Sequence, residues 1–280
     1  MVGIIKNAKL LYFFLGLIAA LGHAPVLRGE DKASILARLE ASEAHPPRSR
    51  IFASANTLVP VMANNPGLFG AYFKTKVSIY NPTPFSYPLE VTLYPPSGST
   101  SQRTLTMNPR QVRNYENFLQ EVFGYTGAGA VEFDSWFGPP GGSADFDFIV
   151  TAEVYTDSPN GRYKTVVTVP EVTDLLSTTY ASYTLGITVD GNTRTNIGCV
   201  NESVATTVRA ELYDAGSRLI QAYRFNLART SWLQGAINEN VQGGYIKWIP
   251  DNGFSCTCYA VTVDNRSNDG TFILPTKYVP

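Results

Sequence analysis

Hydrophobic and polar residues alternate with a period of two along much of the chain, the pattern of strands covered on one face. The pattern is written twice. In the second half, residues 194–201 end on Asn201; after a polar gap come residues 208–213 and a turn at Asp214-Ala215-Gly216. In the first half, residues 74–81 end on Asn81; after a Pro-rich gap come residues 89–94 and a turn around Ser97-Gly98. Each copy reads strand, Asn stop, strand, tight turn. Residues 243–248 echo 128–133 position by position.

Around these stretches the first half predicts strands at 51–55, 58–61, 72–80, 105–107, 127–133, 148–155 and 163–169. Turns are predicted at Asn64-Asn65-Pro66-Gly67 and Asn160-Gly161. Residues 117–123 read as a short helix, with Asn117 as N-cap and Gly124 as left-handed C-cap. The second half predicts strands at 180–189, 194–200, 218–227, 255–263 and 271–274. Residues 232–237 stand where the first half has its helix. Short strands, frequent turn signals and no βαβ rhythm give an all-β chain of antiparallel sandwiches. The internal echo divides it into two tandem β-sandwich domains, 51–170 and 171–280, each with one short helix.

The N-terminus reads differently. Lys6 and Lys9 precede an apolar run from Leu10 to Leu21, with small residues before a cleavage point after Gly22. The run is shorter than the ~20 residues of a bilayer span, so 1–22 reads as a signal peptide, with no transmembrane segment in the mature chain. Residues 23–50 read as a short helix, with Ile35, Leu36 and Leu39 on one face, and a linker starting at Pro46-Pro47. The expected location is secreted, extracellular or on the outer cell surface.

Several groups of residues resemble the tandem immunoglobulin-like β-sandwich modules of secreted bacterial proteins. They are Val59-Pro60-Val61, Gly70-Ala71-Tyr72-Phe73-Lys74-Thr75, Tyr80-Asn81-Pro82, Arg194-Thr195-Asn196-Ile197-Gly198 and Val263-Asp264-Asn265. The resemblance covers about residues 55 to 275. It implies an extracellular, non-catalytic module and brings no ligand with it. Immunoglobulin domains proper bridge their two sheets with a disulfide, and the cysteines fall on the corresponding strands. Tyr213, not Trp, stands at the place of the core aromatic.

Composition narrows the chemistry. Net charge is −1 and only 16% of residues are charged, which gives no basic stripe for nucleic acid. The two histidines, His23 and His45, lie outside both predicted sandwiches, which removes Ser-His-Asp and Cys-His machinery from them. Carboxylate candidates are Glu132, Glu153, Asp145 and Asp147, and the expectation is no enzyme. Three cysteines in an exported chain predict one disulfide, Cys199–Cys258 or Cys199–Cys256, reaching across the sandwich. Cys-x-Cys on a strand has the wrong spacing for zinc. Asp264 and Asp269 sit in an oxygen-rich turn that is a weak Ca²⁺ candidate, without the acidic spacing of a calcium loop. No other cofactor is implied. Trp136 and Phe137, in the Gly/Pro-rich connection at 134–148, are the candidate ligand-binding residues. The chain thus reads as a structural or adhesive surface protein, with a cell-surface protein or polysaccharide as partner. The other reading is a carbohydrate-binding protein using that aromatic connection.

Overall fold

A computed structural model describes residues 56–96, 98–135, 148–159, 161–167, 176–251 and 256–278. The first half contains β1 (Asn56–Pro66), β2 (Tyr72–Tyr80), β3 (Tyr87–Tyr94), β4 (Ser101–Met107), β5 (Val112–Tyr115), α1 (Phe118–Phe123), β6 (Gly127–Asp134), β7 (Ile149–Ser158) and β8 (Gly161–Val167). The second contains β9 (Ala181–Val189), β10 (Thr193–Asn201), β11 (Thr206–Tyr213), β12 (Leu219–Leu227), β13 (Ser231–Ala236), β14 (Val241–Pro250), β15 (Cys256–Asp264), β16 (Gly270–Ile273) and β17 (Thr276–Tyr278). Alternation makes these strands: in β3, Leu89, Val91 and Leu93 are buried while Glu90 and Thr92 between them are not. The predicted signal peptide, N-terminal helix and linker lie outside the described residues. No helix among the described residues is long and apolar enough to cross a membrane.

All pairings are antiparallel, and they recur strand for strand. In the first half β4-β3-β6-β1 form one layer and β5, β2, β7 and β8 the other. Strand β1 belongs to both, pairing β6 along most of its length and β2 at Asn64–Pro66. In the second half the layers are β12-β11-β14-β9-β17 and β13-β10-β15-β16. Strands β9 to β16 therefore keep the partners of β1 to β8, except that the β1–β2 pairing has no counterpart between β9 and β10, and β17 is added beside β9.

The repeated residues have repeated jobs. Asn81 is fully buried; its Nδ2 donates to the Phe85 and Asn108 carbonyls and its Oδ1 accepts the Thr83 amide. Asn201, equally buried, donates to the Val204 and Ala228 carbonyls and accepts the Ser203 amide. Each Asn ties the loop after its own strand to the loop after β4 or β12, satisfying backbone groups that no ladder reaches. A Cβ on Gly129 would lie 2.6 Å from the Tyr94 carbonyl oxygen, and one on Gly244 would lie 2.3 Å from that of Tyr213. The echo between 128–133 and 243–248 is thus a steric requirement where β3 and β11 end.

The structure departs from the sequence expectation at three points. Residues 232–237 are not the counterpart of the helix: Ser231–Ala236 is β13, which pairs with β10 as β5 pairs with β2. Among the described residues only the first half carries a helix. That helix ends at Gly124 in the left-handed region, but the Asn117 side chain does not cap it. Glu121 accepts the Asn117 amide instead, and Asn117 Nδ2 donates to Asn64. The turn expected at 64–67 also comes later, because Asn64 to Pro66 pair with β2.

The outer face of the β3-β6-β1 layer is covered by the second half, and this decides the architecture. Leu58, Tyr94 and Ala130 point away from the first half's interior, alternating with Val59, Leu93 and Val131, yet all are buried. They share one hydrophobic cluster with Val200, Trp232, Tyr259 and Phe272. Those four belong to the outer face of β13-β10-β15-β16; the inner-facing Ile197, Cys199, Cys258 and Ala260 belong to the second half's own core. Trp232 Nε1 donates across the junction to the Pro60 carbonyl at 2.9 Å and to Tyr259 Oη at 3.0 Å. Tyr259 in turn donates to Gln234. It lies over Gly198, where a Cβ would meet its hydroxyl at 2.5 Å. Both halves fall within one compact unit, Phe52–Pro280.

Candidate functional site

The residues singled out from the sequence do not converge. Trp136, Phe137, Asp145 and Asp147 lie outside the described residues. Asp264 Oδ1 accepts the amides of Arg266 and Ser267, which hold its carboxyl below the usual range, while Asp269 accepts the Gly270 amide. These carboxylates are used by their own turn. Glu153 pairs with Lys164 at 2.7 Å on an exposed surface.

The cysteines meet inside the second core. Cys199 and Cys258 are bonded, but not across the sandwich: they are register partners on adjacent strands of one sheet, with Cα atoms 4.0 Å apart. The inference from immunoglobulin domains fails because β10 and β15 lie side by side. Cys256 is free and fully buried, its sulfur 3.8 Å from that of Cys258. Burial, reinforced by nearby Glu202, pushes its thiol far above the ordinary range, so it is no nucleophile at neutral pH. The three sulfurs lie within 4.8 Å of one another, a donor set that suits a soft metal only with the Cys199–Cys258 bond reduced. Their counterparts argue for packing instead. The register partners Ile79 and Val150 occupy in β2 and β7 the places of Cys199 and Cys258, and Phe148 that of Cys256. All three are buried hydrocarbon in the first core.

One buried carboxyl is invisible in the sequence. Glu202 follows Asn201, and its buried Oε1 has no hydrogen-bond partner. Burial first, and then Glu132 of the first half, raise its pKa to about 7. Glu132 itself accepts hydrogen bonds from Tyr94 and Asn56. A carboxyl titrating near neutrality suits general acid–base work; the groups that feel the charge of Glu202 are Tyr94, Glu132 and Cys256. A shallow recess of about 470 Å³ between Thr206–Thr207 and Asn226–Ala228 has Asp251 as its lining carboxylate.

The candidate interaction surface is the outer face of β12-β11-β14-β9-β17. Register places Leu219 beside Tyr213, Tyr213 beside Tyr245, and Tyr245 beside Leu185, one row across four strands. Leu185 is 62% exposed and Leu219 50%. The Tyr213 and Tyr245 rings stack with centroids 4.9 Å apart, and Tyr183 meets Tyr245 edge-on at 6.1 Å. Lys247 and Glu211 form the next row, and Glu211 accepts from Tyr213 and pairs with Arg209. Stacked, amphipathic rings with a polar margin have the composition of a protein-binding patch. The position matters as much. By strand register Tyr183, Leu185, Tyr213 and Tyr245 stand where the first half has Leu58, Pro60, Tyr94 and Ala130, the face buried at the junction. The likeness to immunoglobulin domains puts Tyr213 at the core position; in the structure it faces outward, and Trp248 is the buried aromatic, donating to Thr184. Comparison with known proteins finds no matching family model, no matching curated protein and no matching solved structure.

Proposed function

We propose that the chain is an exported protein of tandem immunoglobulin-like β-sandwich modules, with a structural or adhesive role at the cell surface and no catalytic one. The observation that supports this reading is the row on β12-β11-β14-β9, in which half-buried Tyr213 and Tyr245 lie between exposed Leu219 and Leu185 at the very position used for module-to-module contact elsewhere in the chain. Patches of this kind on otherwise polar surfaces mark interaction sites. Export is supported by the apolar N-terminal run and fits the cystine in the second core.

The test has two parts. Protease treatment of intact cells expressing the full chain should remove it, and purified chain should bind washed cell envelopes. Leu185→Asp should reduce that binding tenfold or more, a loss of about 1.4 kcal/mol or above, as expected for a central contact. Retention in the cytoplasm, or envelope binding indifferent to Leu185 and Tyr245, defeats the proposal. A glycan array hit lost in Trp136→Ala would favour a carbohydrate-binding protein instead. Substrate turnover abolished by a single carboxylate change would make it an enzyme.

A further inference from the structure

We propose that the exposed aromatic face of the second half binds the outer face of β5-β2-β7-β8 in a second copy of this chain, joining copies head to tail into an open-ended filament. The proposal rests on the adhesive reading above and names the partner of that same face.

Within one chain the contact already exists. The outer face of β3-β6-β1 in the first copy of the fold is seated on the outer face of β13-β10-β15-β16 in the second. Because the strand pairings correspond, each half owns both kinds of face, and the junction consumes only one of each. The second half's aromatic face is left open, as is the first half's counterpart of the Trp232 face. That second open face is apolar at some of the same places and polar at others: Thr151 stands where Tyr259 stands, and Glu153, paired with Lys164, where Val261 stands. Register puts Val112 where Trp232 stands, Tyr80 where Val200 stands, Ile149 where Thr257 stands and Val166 where Phe272 stands. Val112, Ile149 and Val166 are 54%, 46% and 60% exposed, and Val112, Tyr80 and Ile149 form one row across three strands.

The two open faces differ from each other, so their contact is heterologous. A heterologous contact that does not close into a ring repeats without limit. Chains added this way continue the stacking of sandwich on sandwich that each chain contains, as in repeat proteins where every unit touches only its neighbours. The acceptor face has Val112 where the junction has Trp232, and hot spots favour Trp. The contact between chains is therefore weaker than the one within a chain, and it needs high local concentration, as on a surface.

Sedimentation velocity of the full chain tests this from about 1 µM to about 1 mM, the range of weak contacts. The weight-average mass should climb past that of a dimer without a plateau. Leu185→Asp and Val166→Asp change opposite faces and should each hold the chain at the single-chain mass. Mixed in equal amounts, they should form a pair that stops at twice that mass, since one supplies the intact aromatic face and the other the intact acceptor face. Tyr245→Ser and Ile149→Asp repeat the experiment should either first variant fail to fold. A dimer that plateaus and ignores Val166→Asp would mean two aromatic faces meeting symmetrically, and would overturn the proposal. A monomer throughout would also overturn it. If that monomer still binds envelopes through Leu185, the adhesive reading stands without the filament. Filaments that bind no envelope and stay inside the cell would defeat the adhesive reading alone.

Discussion

Replacing Trp232 with alanine should unfold both halves together at lower denaturant. The side chain is 4% exposed and sits between the two halves in a cluster that includes Leu58, Tyr94 and Ala130. A buried Trp covers about 150–250 Å². At about 25 cal/mol per Å² that is ~4–6 kcal/mol of burial, and measured truncations of buried aromatics cost about 3–5 kcal/mol. The Pro60 carbonyl also loses its donor, adding about 1 kcal/mol, whereas Tyr259 keeps its bond to Gln234. The total is a large share of the ~5–15 kcal/mol that holds a typical protein folded. In urea the midpoint should fall by about 1–2 M. Trp232→Phe keeps most of the ring and loses the N–H, so its cost should be about 1–3 kcal/mol. Far-UV circular dichroism and intrinsic fluorescence should give coincident single transitions in the parent chain. Two separate transitions in the parent, with Trp232→Ala costing less than about 1 kcal/mol, would show that the halves fold independently and that the junction is an incidental contact.

Three further outcomes follow from the same geometry. Gly244→Ala and Gly129→Ala force a methyl into a backbone carbonyl and should each cost about 1–3 kcal/mol by thermal denaturation; Gly235→Ala, with open space at its Cβ, should be near neutral. Cys199→Ala removes a cross-link with a sequence separation of 59 and should cost up to about 4 kcal/mol, while intact-mass analysis of the parent should find one thiol that alkylates only in denaturant. Glu202 titrates near 7 when folded and at the ordinary lower value when unfolded, so the folded state holds the extra proton. Its contribution is most favourable below the unfolded value and is lost as pH rises toward about 7, by about 2–3 kcal/mol. Glu202→Gln should flatten the urea midpoint between about pH 4.5 and 8, and an unchanged slope would remove Glu202 as its cause.

Strand existence was legible in the sequence because alternation is a local property. Leu89, Val91 and Leu93 must share one face, as must Val208, Ala210 and Leu212, whatever the chain does elsewhere. Asn81, Asn201, Gly129 and Gly244 were legible as repeats, because equal backbone geometry imposes equal residue requirements. Strand β5 was not, since Val112 to Tyr115 spans four residues with one buried side chain and leaves almost no pattern. Nor was β13, whose buried Trp232 answers to the other half and not to its own core.

What covers a face is a different question from which residues share it. Leu58, Pro60, Tyr94 and Ala130 look no more apolar in sequence than Tyr183, Leu185, Tyr213 and Tyr245. One set is buried and the other open because only one lies against Trp232, Val200, Tyr259 and Phe272. The partner of Cys199 was settled by which strands are neighbours, and the raised pKa of Glu202 by burial and by the charge of Glu132, 70 positions earlier in the chain. Periodicity carries information over a few residues. Burial of an outer face, an in-sheet cystine and a displaced carboxyl pKa depend on contacts between segments distant in the chain, and those exist only once the strands have found their neighbours and, for the outer face, once the two halves have docked.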